Sequence, residues 1–441
     1  MKPIILYFLL MLVALPSSAK KTKQALFPDG TPISTWFADT TEVSVEKLGR
    51  QYVITDYGVE ADSTKMQTKQ IQHVIDLCAQ EGGGVVVIPR GTFLTGSLFF
   101  KPNTHLHLVA GARLKGSDAI TNYEIIDTRL EGQTIKYFAA LINAIDCDGF
   151  TISGQGTIDG NGWKFYDEFW LRRKVNPKCT NLEALRPRLV YIANSNDVSV
   201  SGVRLVNSGF WTNHIYNCQR VRYINCYIWA NTDYYPKGPS TDGIDLDVVS
   251  DALVHGCYVN VNDDGICLKG GKGTWVDTIP GNGACERVIV QNCSFGKSGG
   301  GITFGSEAWN CRNIILRDCK FNQTGNLLLF KMRPDTPQVF EYVLAENLTG
   351  SVKNGVRARK WTQFYNLAPR DNMPRSRVGH VTARNIQVKA NNNFYALEKS
   401  DQFDLEDFTF ENIEAKDSEG NFDTSYIKGC KVKNVSISRA Q

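Results

Sequence analysis

Four segments of this chain, VRYINCYI (221–228), ALVHGCYV (252–259), VIVQNCSF (288–295) and IILRDCKF (314–321), superimpose residue for residue. Each alternates apolar, β-branched or aromatic positions with polar ones and carries Asn, Gly or Asp near its centre, a strand-and-turn pattern. Weaker copies follow at 343–350, 381–388 and 408–415. From Cys226 through Cys257, Cys293, Cys319, Leu348 and Ile386 to Ile413 the spacings are 31, 36, 26, 29, 38 and 27 residues. Fixed rungs joined by loops of variable length give such spacings, whereas a propeller needs a more even period. The pattern predicts an all-β solenoid, a right-handed parallel β-helix.

A second register steps with the first. DGIDLD (242–247), DGICLK (264–269), GGITFG (300–305) and NLLLFK (326–331) align at offsets of 22, 36 and 26 residues, the last two matching the cysteine series. Strand alternation turns Ile244, Leu246, Ile266, Leu268, Ile302, Phe304, Leu328 and Phe330 inward. It turns Asp245, Asp247, Cys267, Lys269, Thr303, Leu329 and Lys331 outward. Upstream, Ile71, Val74, Ile75 and Cys78 follow helical spacing and Gly82-Gly83-Gly84 ends the helix, which is expected to cap the first coil. The aromatic and basic stretch 160–188 reads as a loop beside the groove.

Composition refines this outline. The 441 residues are 42% hydrophobic with a net charge of +4, enough apolar material for a large core and too little positive charge to imply nucleic acid. Residues 1–19 have the form of a secretory leader: Lys2, an apolar run from Ile4 to Leu15, then Pro16-Ser17-Ser18-Ala19. That run is too short to span a bilayer. The expected organisation is a leader at 1–19, an extension at 20–51 and one β-helix domain at 52–441. The protein is expected to be exported, periplasmic or extracellular, not membrane-inserted, and monomeric. Twelve cysteines in an exported chain invite disulfides, but several fill one strand position where cysteine serves as a small core residue. Most are expected in the core, with one or two bridges.

The chemistry gathers at Asp242, before Gly243, and at Asp263-Asp264, before Gly265. Asp242 and Asp264 are equivalent positions of neighbouring coils, roughly 4.8 Å apart. Paired carboxylates are what glycosidic-bond hydrolysis requires, and crowding separates their pKa values. Alternation gives Asp242 and Asp264 inward parity, so the glycines after them must bend them into the groove. Lys269 and Lys331, two coils apart in one outward column, suit a substrate carboxylate. His214, in FWTNH, is a candidate substrate contact and equally a packed histidine. Asp-Asp-Gly is also a plain turn signature, and acidic clusters can hold calcium. The histidines have no metal-ligand spacing, and no metal or cofactor is expected.

Taken in order, YVITDYGV (52–59), GQGTIDGNGWKFYD (154–167), SGFWTNHIYNC (208–218), STDGIDLD (240–247), NDDGICLKGG (262–271), GGGITFGSE (299–307) and LLFKM (328–332) resemble glycoside hydrolase family 28. This family contains the polygalacturonases and rhamnogalacturonan hydrolases, and the resemblance covers roughly residues 50–440. It implies a right-handed parallel β-helix that hydrolyses α-galacturonosyl bonds in pectic poly- or oligosaccharides with inversion and without metal. On the matching positions Asp263 would be the general acid, Asp242 and Asp264 would position and activate water, and Lys331 would bind the galacturonate carboxylate. Two positions depart from the polygalacturonase pattern: Gly300 replaces a histidine and Leu329 an arginine. Both resemble the rhamnogalacturonan-hydrolase branch, although that branch commonly has Asp-Glu at 263–264. The expected linkage is therefore GalA–Rha in rhamnogalacturonan I. The alternatives are a polygalacturonase or exo-galacturonidase, a lyase on the same fold, and a non-catalytic glycan-binding solenoid.

Overall fold

The computed structural model describes residues 24–363 and 370–439. The leader expected at 1–19 and residues 364–369 lie outside the described residues. The chain winds into a right-handed parallel β-helix whose rungs belong to one 27-stranded sheet. Among the described residues no helix is long and apolar enough to cross a membrane.

Both registers read from the sequence are present. Ile244 pairs with Ile266, Ile266 with Ile302, Ile302 with Leu328 and Leu328 with Val356, a column buried throughout. Beside it runs the outward column Asp245, Cys267, Thr303, Leu329, Arg357. The centres of the repeats turn because their backbone adopts positive φ, at Asn225, Asn292, Asp318, Asn347, Asn385, Asn412 and Asn434. Asn and Asp tolerate that conformation better than other non-glycine residues. Their side chains also link rungs: Asn385 donates to Asn347 at 3.1 Å and Asn412 to Asn385 at 3.0 Å.

All twelve cysteines are free thiols, which corrects the expectation of one or two bridges. The physical reason is local: each column thiol bonds the carbonyl two residues before it. Cys293 donates to the Gln291 carbonyl at 3.2 Å and Cys319 to that of Arg317 at 3.1 Å. These thiols fill the core as small apolar groups.

Helix α1 (Thr68–Gln80) buries Ile71, Val74, Ile75 and Cys78 against the first strands. The segment before the first rung runs along the outside of the solenoid. There Phe27 and Phe37 cover Ile224, Leu253, Ile289 and Ile315, and Asp29 contacts Arg312 and Asn313. The stretch read as a loop at 160–188 instead contains a second helix, α2 (Trp163–Val175), which buries Phe165, Tyr166 and Phe169. Its apolar residues lie on several sides, so no helical stripe marks it. An antiparallel hairpin, Ile125–Leu130 with Gln133–Phe138, also leaves the rungs and leans over the groove wall.

Candidate active site

The two aspartate turns meet as the repeat requires. The Gly243 N–H donates to the Asp264 carbonyl at 2.9 Å and the Gly265 N–H to that of Gly300 at 2.9 Å, so positions 242, 264 and 300 stack on successive rungs. A Cβ at Gly243 would stand 2.5 Å from the Gly265 carbonyl oxygen, and one at Gly265 equally close to that of Gly300. Only glycine allows the backbones to approach so closely. The turn at these glycines overrides strand parity and sends Asp242, Asp263 and Asp264 into a cavity of about 230 Å³. Its walls include Phe169, Trp170 and Arg173 of α2, together with Trp211 and Trp361.

Asp264 is the best-satisfied carboxylate. It accepts from Lys331 Nζ at 2.6 Å, from the Thr303 hydroxyl at 2.8 Å and from the Cys267 thiol at 3.6 Å. Burial pushes its pKa upward, but the ammonium of Lys331 and these hydrogen bonds outweigh burial and hold it below the usual carboxylate range. Asp263, partly open to the cavity, has no such cation in contact. Burial and the negative charge of Asp264 raise it to about 6. Burial, Asp245 and Asp263 push Asp242 well above its ordinary value. Asp264 thus ionises first, while Asp263 and Asp242 hold their protons to higher pH than ordinary carboxyls.

Lys269 is 2% exposed, and its ammonium faces protein carboxylates: Glu307 at 3.0 Å, Asp245 at 3.2 Å and Asp242 at 3.9 Å. It also lies 4.2 Å from the Trp211 ring centre. This lysine lines the cavity and serves as a counter-ion to these carboxylates. His214 lies apart from the cavity lining. It is fully buried one rung below Asp245, 2.6 Å from an Arg188 guanidinium nitrogen and 3.3 Å from Asp247. Burial brings its pKa down to about 4, so the imidazole is neutral at the pH of most surroundings. Lys331 does reach the cavity, 4.7 Å from the Trp361 ring centre.

Sequence reasoning missed several residues. Glu307, Glu131, Lys272 and Arg173 line the cavity, and Arg129, Arg188 and Asp247 form a buried charged cluster with His214. Glu307 is the last residue of the GGGITFGSE motif and was within reach of the register. Arg129, Glu131 and Arg173 come from the hairpin and α2, which no periodicity announces. Asp242, Asp264 and Cys267 place ligand atoms within 4.8 Å of one another, a spacing that suits a cation. The donor set does not: burial keeps the Cys267 thiol protonated, and ammonium groups already neutralise the carboxylates.

Residues 78–437 match the sequence profile of the glycosyl hydrolases family 28. The chain belongs to this family. It is 28% identical over 270 residues to an exo-poly-alpha-D-galacturonosidase of Dickeya chrysanthemi, an alignment covering 56% of this chain and 42% of that one. It is also 28% identical over 228 residues to a probable polygalacturonase of Vitis vinifera, covering 49% and 44%. The chain therefore spans less than half the length of either relative. Its fold matches that of a hyperthermoactive exopolygalacturonase from Thermotoga maritima with a TM-score of 0.64, at 21% identity over 89% of this chain and 95% of the other. An endo-xylogalacturonan hydrolase from Aspergillus tubingensis matches with a TM-score of 0.59, at 16% identity over 87% and 99%.

For a family 28 chain the two departures now have surroundings. At Gly300 a Cβ would lie 2.7 Å from Thr303 Oγ1, the hydroxyl that bonds Asp264. Thr303 fills the space that a larger residue at 300 would take. At Leu329 the side chain is apolar, but Arg357 stands beside it on the next rung.

Proposed function

We propose that the protein is an inverting hydrolase of α-galacturonosyl linkages in pectin that acts from a chain end. The observation carrying this reading is the split ionisation of the Asp263–Asp264 pair beside Lys331. Asp263, protonated below about pH 6, donates to the glycosidic oxygen as the bond breaks. Asp264, held ionised by Lys331, takes the proton of the attacking water. Asp242 keeps its proton and donates a hydrogen bond that orients that water. Lys331 has N–H groups beyond the one given to Asp264, and these bind the carboxylate of the sugar being cleaved. The walls that α2, Trp211 and Trp361 raise around the cavity support exo action. The exopolygalacturonase names among the relatives point the same way.

A second reading keeps the linkage suggested by the sequence, GalA–Rha in rhamnogalacturonan I, because an apolar Leu329 stands where polygalacturonases have an arginine. Incubation with polygalacturonic acid and with rhamnogalacturonan, followed by product profiling over time, separates the two. Immediate release of monomer from polygalacturonic acid is expected. Turnover of rhamnogalacturonan alone would favour the second reading, and a falling mixture of oligomers would end the exo assignment. Unsaturated, chelator-sensitive products would indicate a lyase, and binding without turnover a glycan-binding solenoid. The leader-like first residues support export, to the periplasm or the extracellular medium.

A further inference from the structure

Both outward columns of the groove continue beyond the cavity. Lys331 is followed on the next rung by Arg359, and Leu329 by Arg357. Trp361 joins the first pair, its ring centre 4.7 Å from the Lys331 ammonium and 5.4 Å from the Arg359 guanidinium. Arg357 sits two residues earlier on the same strand, about 6.6 Å away along it. It borders a second cavity on this face of about 570 Å³, with Asn354, Asn393 and Tyr395. Among the described residues Arg357 makes no ion pair and no side-chain hydrogen bond. Burial and the neighbouring Arg359 hold its pKa below the usual arginine range. Two half-buried guanidinium groups lie side by side with no ion pair in contact among the described residues, and the exposed Glu398 offsets only part of their charge, so a ligand carboxylate would be stabilised there.

We propose that Arg357 and Arg359 form a second carboxylate-binding subsite, which takes a uronate of the same pectic chain next to the sugar held at Asp263 and Asp264. The proposal rests on reading the protein as an α-galacturonosyl hydrolase. A chain leaving the catalytic cavity along Trp361 meets these guanidinium groups one rung further on, roughly 4.8 Å up the solenoid axis. Their planar forks match a carboxylate in two parallel hydrogen bonds. This subsite supplies at Arg357 the positive charge that Leu329 lacks, and it selects acidic over neutral units at that position. The competing carboxylate is Glu398, exposed on the following rung, whose N–H donates to the Ala358 carbonyl at 3.0 Å and whose side chain accepts from the Lys360 N–H at 3.2 Å.

The test is calorimetric, on the full chain carrying Asp263→Asn to stop turnover. Titration compares galacturonic acid, which fills the catalytic cavity alone, with trigalacturonate. Adding Arg357→Ala should weaken trigalacturonate about tenfold, equivalent to about 1.4 kcal/mol, and leave the monosaccharide unchanged. Arg357→Lys should lose less, and Glu398→Gln should tighten the trisaccharide. Unchanged trisaccharide affinity in Arg357→Ala, equal weakening of both ligands, or no binding of either would overturn the subsite. Turnover of polygalacturonic acid by the unmodified chain is measured separately. Its absence, with trisaccharide binding still dependent on Arg357, would remove the hydrolase reading and leave the subsite standing.

Discussion

The solenoid stacks charged residues in two places, and water access makes them opposites. At one corner Asp197 and Arg220 pair at 2.6 Å with side chains 53% and 36% exposed. Asp251 and Arg287 pair at 2.7 Å further along that column, with side chains 18% and 31% exposed. On the groove face Asp264 and Lys331 also pair at 2.6 Å, with side chains only 4% and 9% exposed. The corner balances its charges pair by pair in solvent, where such contacts contribute at most about 1 kcal/mol. In the groove, five carboxylates (Asp242, Asp245, Asp263, Asp264 and Glu307) crowd round two ammonium groups, those of Lys269 and Lys331. They cannot all ionise away from water, so protons stay on some of them. Burial, with the spacing between rungs unchanged, turns a surface ladder into an acid–base site.

The sharpest way to break this comparison is to remove the acid. Asp263→Asn should lower turnover of natural glycosides by roughly 10²–10⁴-fold while leaving the fold intact. An activated aryl glycoside should be partly rescued, because its leaving group needs little protonation. Asp264→Asn should lose activity without that rescue. Rescue in Asp264→Asn and none in Asp263→Asn would exchange the two roles.

Next comes Lys331→Met, which leaves the buried Asp264 without its cation. Urea unfolding should show a loss of about 3–5 kcal/mol, the usual cost of stripping one partner from a buried pair. Combining it with Asp264→Asn should recover part of that loss. A double variant no more stable than the single one would mean that the buried charge is not the cause.

The pH profile follows from directions already described. With Asp263 at about 6 instead of 3.8, kcat/KM should fall as pH rises through 6. Because its folded pKa is raised, its share of folding stability is fully present below pH 3.8 and is lost as pH rises through 6. Asp264, with a lowered pKa, acts in the opposite sense. Its share is present above the unfolded value and is lost as pH falls through the lower folded value. Asp263→Asn should therefore remove the decline in stability between about pH 4 and 6. An unchanged slope would place the raised proton elsewhere, with Asp242 or Asp245 the next to replace.

The smallest effect belongs to the corner. Asp197→Ala should cost below about 1 kcal/mol in urea unfolding and leave activity unchanged. A loss as large as that of Lys331→Met would erase the distinction between the two places.

Much of the groove was legible in the sequence because a two-residue alternation repeated at matched offsets fixes which strands stack. That placed Ile244 over Ile266 and Lys331 in the column of Lys269. Asp242 and Asp264 were legible as stacked, but their direction depended on the backbone approach at Gly243 and Gly265. What periodicity could not show are side chains brought by excursions from the rungs. Arg173 rides on a helix with no apolar stripe, and Arg129 and Glu131 come from a hairpin outside the repeat. The depth of Lys269 and His214 was hidden for the same reason, since outward parity means exposure only where nothing covers the sheet. The spare charge at Arg357 became visible only once the rung after Leu329 was in register.

Rungs that touch only their neighbours ordinarily lend a solenoid folding that can start anywhere and spread. The segment carrying Phe27 and Phe37 changes that kinetics. Its Asp29 bonds Asn313 across 284 residues of chain, and its Asp39 pairs with Arg222 across 183. Closing loops of that length is slow, and the contacts reward the chain only after the rungs between them exist. The outer strand of chain therefore latches last and unlatches first, and while latched it makes several coils open together instead of one at a time.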